Sequence, residues 1–436
     1  MKNGISRRGF ISTGSAAAVG LAASPEAFAR SPKKDIKIGV VGTGNRGRSL
    51  LATMQSLEGV SFPALCDVNT DNLAKAQDIV VKAGGKKPEG YSGGDHAYEK
   101  LMERDDLDAV IIASPWQWHT PMAVYAMKQG IYTGIEVPCA ITLEQCWELV
   151  DTREKTGVPC MMLENWSFRR DNLAILNMVR QGMFGEMVHC HCAHSHDCID
   201  HWFFDPDGNI RWGGEFLVNR NCDQYPTHSL GPVLSWLDIN CGDRFTSITS
   251  TATASKGINA FFARKYGPDH PNAKRSYKQG DIVTSTLKTA QGRSVIVNYD
   301  MQLPRPYDNR WTLQGTLGIY NEQRDALYIE SSSPEYHQWE PFPPYMEKHD
   351  HPWYSDRAWR PSIEHGHGGT DYLELRHFTD AVKAGTEPVI DVYDSVVMSA
   401  VVSLSEMSIA NNSKQIDFPD FTRGKWKTRK PTFGVV

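Results

Sequence analysis

Ile36-Lys37-Ile38-Gly39-Val40-Val41-Gly42-Thr43-Gly44-Asn45-Arg46-Gly47 decides the fold of this chain. A short β-branched run ends in the spacing G-x-G-x-x-G, and the residues from Arg46 to Gln55 read as a helix. Alone, the glycine pattern is weak. Between a strand and a helix it describes a turn whose backbone N–H groups approach a pyrophosphate at a helix N-terminus. Gly42, Gly44 and Gly47 are its glycines, and Asn45 and Arg46 open the helix. Asp67 follows Gly47 by 20 residues, at the end of a second strand over Val60–Cys66. A carboxylate there accepts hydrogen bonds from adenosine ribose hydroxyls and opposes a 2′-phosphate; neither Val68 nor Asn69 is basic. The reading is NAD rather than NADP. The plainer alternative, a glycine turn beside a solvent-facing aspartate, leaves the coincidence of spacing and context unexplained.

Downstream, strand and helix keep alternating. A helix over Thr70–Lys82 and a loop to Gly94 lead to Ala109–Ala113, a fully apolar strand of the kind buried in parallel sheets. A helix from His119 to Gly130, a strand over Ile131–Ile135, a helix over Leu143–Thr156 and a strand over Cys160–Leu163 follow. This predicts an α/β chain whose N-terminal domain, residues 30–165, is a doubly wound (Rossmann) parallel sheet. Trp116-Gln117-Trp118-His119 leaves the apolar strand at the sheet's carboxyl edge, where ligands bind; an aromatic packing turn is compatible with the same residues. After a helix over Arg170–Gly182 the pattern changes. Strands read at Met187–His196, Phe245–Ala254, Asp281–Thr289, Ser294–Asp300 and Trp311–Tyr320, and helices at Asp371–Ala384 and Tyr393–Ala410. Residues 166–436 are therefore expected to form an α+β domain with a largely antiparallel, open-faced sheet, the substrate domain.

Upstream lies an address. Ser6-Arg7-Arg8-Gly9-Phe10-Ile11 is a twin-arginine sequence, a mild apolar run follows to Ala23, and Ala27-Phe28-Ala29 suits a signal peptidase. Residues 1–29 read as a twin-arginine signal peptide that sends the folded chain to the periplasm; no other segment is read as membrane-spanning. They carry three basic residues and one acidic, so the full chain's net charge of −5 becomes about −7 after cleavage. That charge, with no long basic run, excludes nucleic acid as an expected partner, and no membrane partner is expected. Ordinary globular composition, with 40% hydrophobic and 22% charged residues, excludes disorder and coiled coil as the main state. Nine cysteines, an odd number, suggest no disulfide framework. Nothing in the composition requires or forbids a homo-oligomer.

Taken together, several short motifs resemble the Gfo/Idh/MocA oxidoreductases and, more narrowly, glycoside hydrolase family 109, the NAD-dependent α-N-acetylgalactosaminidases. They include the glycine loop, Trp116–His119, Ile135-Glu136-Val137-Pro138, Glu164-Asn165, Asn177–Gly182, Tyr225-Pro226-Thr227-His228, Arg305-Pro306-Tyr307, His367-Gly368-Gly369 and Asp420–Gly424. The resemblance implies NAD contacts from Asn45, Arg46, Asp67, Trp116, Gln117, Trp118, His119, Glu136, Val137 and Asn165. It implies a sugar substrate, with catalysis by His228, Tyr225 and Tyr307 and substrate contacts extending to His194, Pro226 and Thr227. In the wider oxidoreductase family the position of Val137 usually carries a proton-transferring lysine. Valine moves no proton, which argues against an ordinary dehydrogenase.

The mechanism the resemblance implies takes a hydride from sugar C3 onto NAD⁺, loses the C2 proton, expels the C1 substituent, adds water and returns the hydride. It needs bases near the C3 hydroxyl and C2 rather than the usual carboxylate pair. Imidazole titrates near neutral pH, which makes His228 the best base. The rivals are a sugar 3-dehydrogenase that releases its keto product and a non-catalytic sugar-binding protein that keeps NAD. Two positions depart from the branch: His194 stands for a substrate-contacting tyrosine, and Gly213, with Arg211 nearby, for an arginine. Glycine at 213 is read as leaving space.

His189-Cys190-His191-Cys192-Ala193-His194-Ser195-His196-Asp197-Cys198 invites a metal. Alternate residues of a strand stand about 7 Å apart, whereas zinc ligands converge within about 2.3 Å of the ion. Four along one strand cannot do so; two could, completed by His201 or His228. The segment is read as a polar pocket wall, with no metal assigned.

Overall fold

In the computed structural model, which describes residues 32–330, 332–355 and 366–435, six parallel strands form the first sheet. They are β1 (Ile36–Val41), β2 (Val60–Cys66), β3 (Glu89–Tyr91), β4 (Ala109–Ile112), β5 (Tyr132–Glu136) and β6 (Cys160–Leu163), in the order β3-β2-β1-β4-β5-β6. Every residue of β4 and β5 is buried, as a parallel sheet covered on both faces requires. The strand order reverses between β1 and β4, and there the loops after the two strands touch. A Cβ added to Gly42 would lie 2.6 Å from Ala113 C and Ser114 N. The predicted signal peptide lies outside the described residues.

Two details differ from the sequence reading. The Lys82–Gly94 loop contains the short edge strand β3, which three residues with no apolar alternation could not announce. The helix after β4 spans Trp116–Lys128, so Trp116–His119 form its first turn rather than a turn before it.

The second sheet has nine strands: β7 (Met187–Ser195), β8 (Phe245–Ala252), β9 (Val283–Thr289), β10 (Ser294–Asp300), β11 (Thr312–Gly315), β12 (Gly318–Asn321), β13 (Ala326–Ile329), β14 (Glu340–Pro341) and β15 (Ile416–Asp417). Their order is β14-β13-β12-β11-β7-β10-β9-β8-β15. Pairing is antiparallel except between β7 and β10, which run parallel with Tyr299 beside His194. The stretch expected as one strand over Trp311–Tyr320 is a hairpin, β11 and β12, turning at Thr316-Leu317.

The chain divides into two compact units. The first takes in the described residues of Met1–Ala140, Glu144–Asn165 and Arg360–Val396; the second takes in Ile141–Leu143, Trp166–Trp359 and Val397–Val436. A linear boundary at residue 165 therefore misplaces the helix Thr370–Ala384. Its Phe378 ring packs edge-on to Tyr132 at 5.4 Å, and a Cβ on Gly134 would stand 3.0 Å from that ring. An apolar helix face says that it covers a sheet, not which one. One expectation needs correction: the helix Val392–Ala410 is long and apolar enough to cross a membrane. Most of it is buried, as in the core helix of a globular protein.

Candidate functional site

In the first unit the three glycines serve three different ends. Gly42 has φ +82°, open to glycine at little cost, and lies against the loop after β4. Gly47 lets the helix Asn45–Met54 approach the turn: a Cβ there would be 1.9 Å from Gly42 O. Gly44 has nothing within 4 Å of its missing Cβ, which leaves an open approach to the helix N-terminus. No side chain caps that terminus, so its N–H groups suit an anionic ligand. Asp67 is joined to the turn. Its Oδ2 accepts from Thr43 N (2.6 Å) and Thr43 Oγ1 (3.1 Å), and its Oδ1 from Asn69 N (2.8 Å). Two carboxylate oxygens accept about four hydrogen bonds, so capacity remains for a ribose hydroxyl. The glycine turn and the acidic residue thus fit a dinucleotide.

Several residues predicted to touch the cofactor have side chains engaged elsewhere in the unit. Arg46 donates through Nε to Glu136 (2.5 Å) and through Nη1 to Asp371 (2.9 Å), and lies 4.0 Å from Glu374. Asp371 also accepts from Asn165 Nδ2 (2.7 Å) and pairs with His367 Nδ1 (2.9 Å). Burial works against the Asp371 charge, yet His367 and Arg46 hold its carboxyl well below the usual carboxylate range. Burial pushes the Glu374 carboxyl up; Arg46 works against that, while Glu136 and Asp371 add to it. Asn165 Oδ1 is buried without a partner among the described residues. Asn45 Oδ1 accepts from Arg48, which also donates to Thr43 O and staples the turn. His119 is buried with Nδ1 at 2.8 Å from Pro138 O and Nε2 at 2.7 Å from Ser114 O. Both ring nitrogens face main-chain carbonyls, so His119 shapes the loops rather than reaching a ligand. Trp116 and Val137 are buried, Gln117 is exposed, and Trp118 packs edge-on to His96.

In the second unit Tyr225, His228, His194 and Tyr307 come together from three separate segments. Tyr225 Oη lies 3.3 Å from His228 Nε2. The His194 ring stands 4.8 Å from Tyr225, 5.4 Å from His228 and 5.5 Å from Tyr307. Trp166 closes the ring cluster, 5.8 Å from both His228 and Tyr307. His194 is the penultimate residue of β7, and His228 lies in the first turn of the helix Thr227–Trp236. Burial, with His228 and His196 nearby, drives the His194 imidazole well below its ordinary pKa, so it is neutral; its Nδ1 has no partner among the described residues. Pro226 and Thr227 are buried; Thr227 Oγ1 is unpartnered too.

Sequence reasoning missed Asp223, Trp166 and the Asp371–Glu374 pair. Asp223 is buried, accepts from Tyr225 N through Oδ1 (3.1 Å), and is pushed by burial to about 7. Its position two residues before Tyr225 was the available signal. Gly213 does not leave space: Trp202 fills it, with Nε1 3.0 Å from where a Cβ would be. Trp202 packs edge-on to Tyr225 at 4.9 Å. Arg211 is exposed and donates to His201 O.

Comparison with known proteins gives a family for each part of the sequence. Residues 168–428 match the family described as glycosyl hydrolase 109, C-terminal domain, and residues 36–164 match the oxidoreductase family, NAD-binding Rossmann fold. A Tannerella forsythia protein named alpha-N-acetylgalactosaminidase is 41% identical over 92% of this chain and 89% of its own. A Stenotrophomonas maltophilia glycosyl hydrolase family 109 protein is 41% identical over 98% of each. Among solved structures, a levoglucosan dehydrogenase in complex with NADH and levoglucosan superposes with TM-score 0.66 at 18% identity, covering 88% of this chain and all of that one. Myo-inositol dehydrogenase from Lactobacillus casei gives 0.61 at 16% identity, over 88% and 97%. At such identities the structures speak for the fold.

Proposed function

Because this chain belongs to glycosyl hydrolase family 109, we propose that it is an NAD-dependent glycosidase that works by transient oxidation at sugar C3, exported to the periplasm by its twin-arginine signal. The observation that carries the reading is the Tyr225–His228 pair, 3.3 Å apart within a cluster of His194, Tyr307 and Trp166. NAD, when bound, supplies a hydride acceptor that returns what it takes, so none is consumed. Gly42, Gly44, Gly47 and Asp67 would hold it. His228 takes a proton from the sugar, and Tyr225, within hydrogen-bond reach of its Nε2, holds or relays that proton. Neutral His194 offers Nδ1 to a sugar hydroxyl, and Tyr307 and Trp166 supply aromatic faces for the ring. Val137 leaves proton transfer to the second unit's residues.

The substrate differs from an α-N-acetylgalactosaminide on this reading. On the resemblance, His194 stands for the branch's substrate-contacting tyrosine and Gly213 for its arginine; Trp202 packs against Gly213, and the planar donor fork of arginine is absent. The test measures kcat/KM on matched aryl glycosides with and without the 2-acetamido group, together with NADH. Turnover without accumulating NADH, and a better substrate among those lacking the group, is expected. Stoichiometric NADH would convert the enzyme to a sugar 3-dehydrogenase. Neither turnover nor C2 deuterium exchange would leave a binding protein. A clear preference for the α-N-acetylgalactosaminide would overturn the substrate assignment.

A further inference from the structure

The histidine- and cysteine-rich end of β7 is only partly used by the sugar wall. His189 and His191 bond to Ser294 and Asn298, and Cys190 and Cys192 are buried in the core. Beyond the strand, His196, Cys198 and His201 converge: one donor atom from each lies within 4.8 Å of the other two. A straight strand cannot achieve this, because its alternate side chains stay about 7 Å apart. The chain achieves it by leaving the sheet. His196 N donates to Asp300 O (2.8 Å) and Cys198 N to Met301 O (3.1 Å), which pins both residues. Ile199–Phe203 then form one turn of π-helix, closed from Phe203 N to Cys198 O at 3.2 Å. That turn brings the His201 ring to 5.3 Å from His196. Single π turns are rare and concentrate at functional sites.

From this convergence we infer that His196, Cys198 and His201 form a mononuclear site for a borderline transition-metal ion, with zinc(II) the best fit. Two imidazoles and a thiol suit zinc and exclude the hard cations magnesium and calcium. Donors 2.0–2.3 Å from a tetrahedral ion stand about 3.5 Å apart, a contraction that side-chain rotation supplies. Cys198 is a buried free thiol. Binding replaces its proton with the metal and releases that proton to solvent. Asp200 lies beside the site, its Oδ1 3.8 Å from His201 Nδ1 and its Oδ2 3.4 Å from Lys265 Nζ. Three protein ligands leave the fourth position to water. The same π turn carries Trp202 against Tyr225, so the ion clips the end of β7 to the element that backs the proposed base pair. That last consequence rests on the proposed function; the metal site does not.

The experiment strips the full chain with a chelator and titrates it with zinc(II), counting metal and released protons, then repeats the titration with cobalt(II). One zinc per chain, about one proton released, and a thiolate-to-cobalt charge-transfer band are expected. His201→Ala changes an exposed side chain, spares folding, and weakens zinc binding by at least about tenfold. Cys198→Ser removes the cobalt band. Absence of stoichiometric uptake, or uptake unchanged in both variants, overturns the site. NAD released on denaturing the same samples reads the cofactor assignment separately.

Discussion

On the proposed function, the cofactor half and the sugar half of this protein solve recognition in opposite ways. The first presents backbone and missing side chains: three glycines, an uncapped helix terminus and an aspartate fastened to the turn. Its central cation, Arg46, is already paired with Glu136 and Asp371. The second presents side chains from scattered segments; both halves leave buried polar atoms open, Asn165 Oδ1 in the first among them. His194 Nδ1, Ser195 Oγ, Asp223 Oδ2 and Thr227 Oγ1 find no partner among the described residues. Each such atom costs roughly 1–3 kcal/mol while unpaired. A half made of backbone tolerates few residue types and stays recognisable; a half made of side chains is free to retune its ligand.

The sharpest attempt to break this contrast is His228→Ala. Turnover is expected to fall by about 10²–10⁴-fold, with the amount of NAD released on denaturation unchanged. Near-normal turnover would make His228 a packing residue. Next is Arg46→Ala, which strands Glu136 and Asp371 without their countercharge. A loss of about 3 kcal/mol in urea unfolding is expected; a variant as stable as the parent would mean that the ion-pair network contributes nothing.

Asp223→Asn probes the second half through pH. Unfolded, this carboxyl ionises near 3.9; folded, it holds its proton to about 7. Ionisation is thus penalised in the fold. The penalty is absent below the unfolded pKa, grows as pH rises, and levels off above about 7. The asparagine variant should gain on the parent between pH 4 and 7, by up to about 4 kcal/mol. Parallel pH–stability curves for the two proteins would contradict this. The smallest stability effect belongs to Gly44→Ala, where a methyl enters open space. Unfolding free energy should stay within about 0.5 kcal/mol while retained NAD drops; retention at the parent level would show that nothing approaches Gly44 closely.

Legibility in the sequence follows the same divide. Strands β1, β2 and β4 through β6 could be read because buried parallel strands are apolar runs and the glycine turn has strict chemistry. The hairpin β11–β12 was invisible because its turn, Thr316-Leu317, carries no glycine or proline signal of its own. The residues of the Tyr225–His228 motif were found through resemblance, whereas Trp166 and Asp223 were not. A buried aspartate two residues from a motif looks like any turn aspartate until its surroundings are known. Arg46 was identified as important for its place in the loop; its partners Asp371 and Glu374, more than 300 residues away, could not be read from periodicity.

The return of helix Thr370–Ala384 to the first unit has a consequence for how the protein is made. On the ribosome, domains generally fold in the order they emerge. Here the first 165 residues emerge without Asp371, the partner of Arg46 and Asn165, and without Phe378, which packs on Tyr132. The nucleotide-binding half therefore completes its core only once Thr370–Ala384 has emerged, after the whole second sheet except β15 has been synthesised. A fragment ending at Asn165 lacks Asp371 and Phe378 and is not a miniature of the first unit.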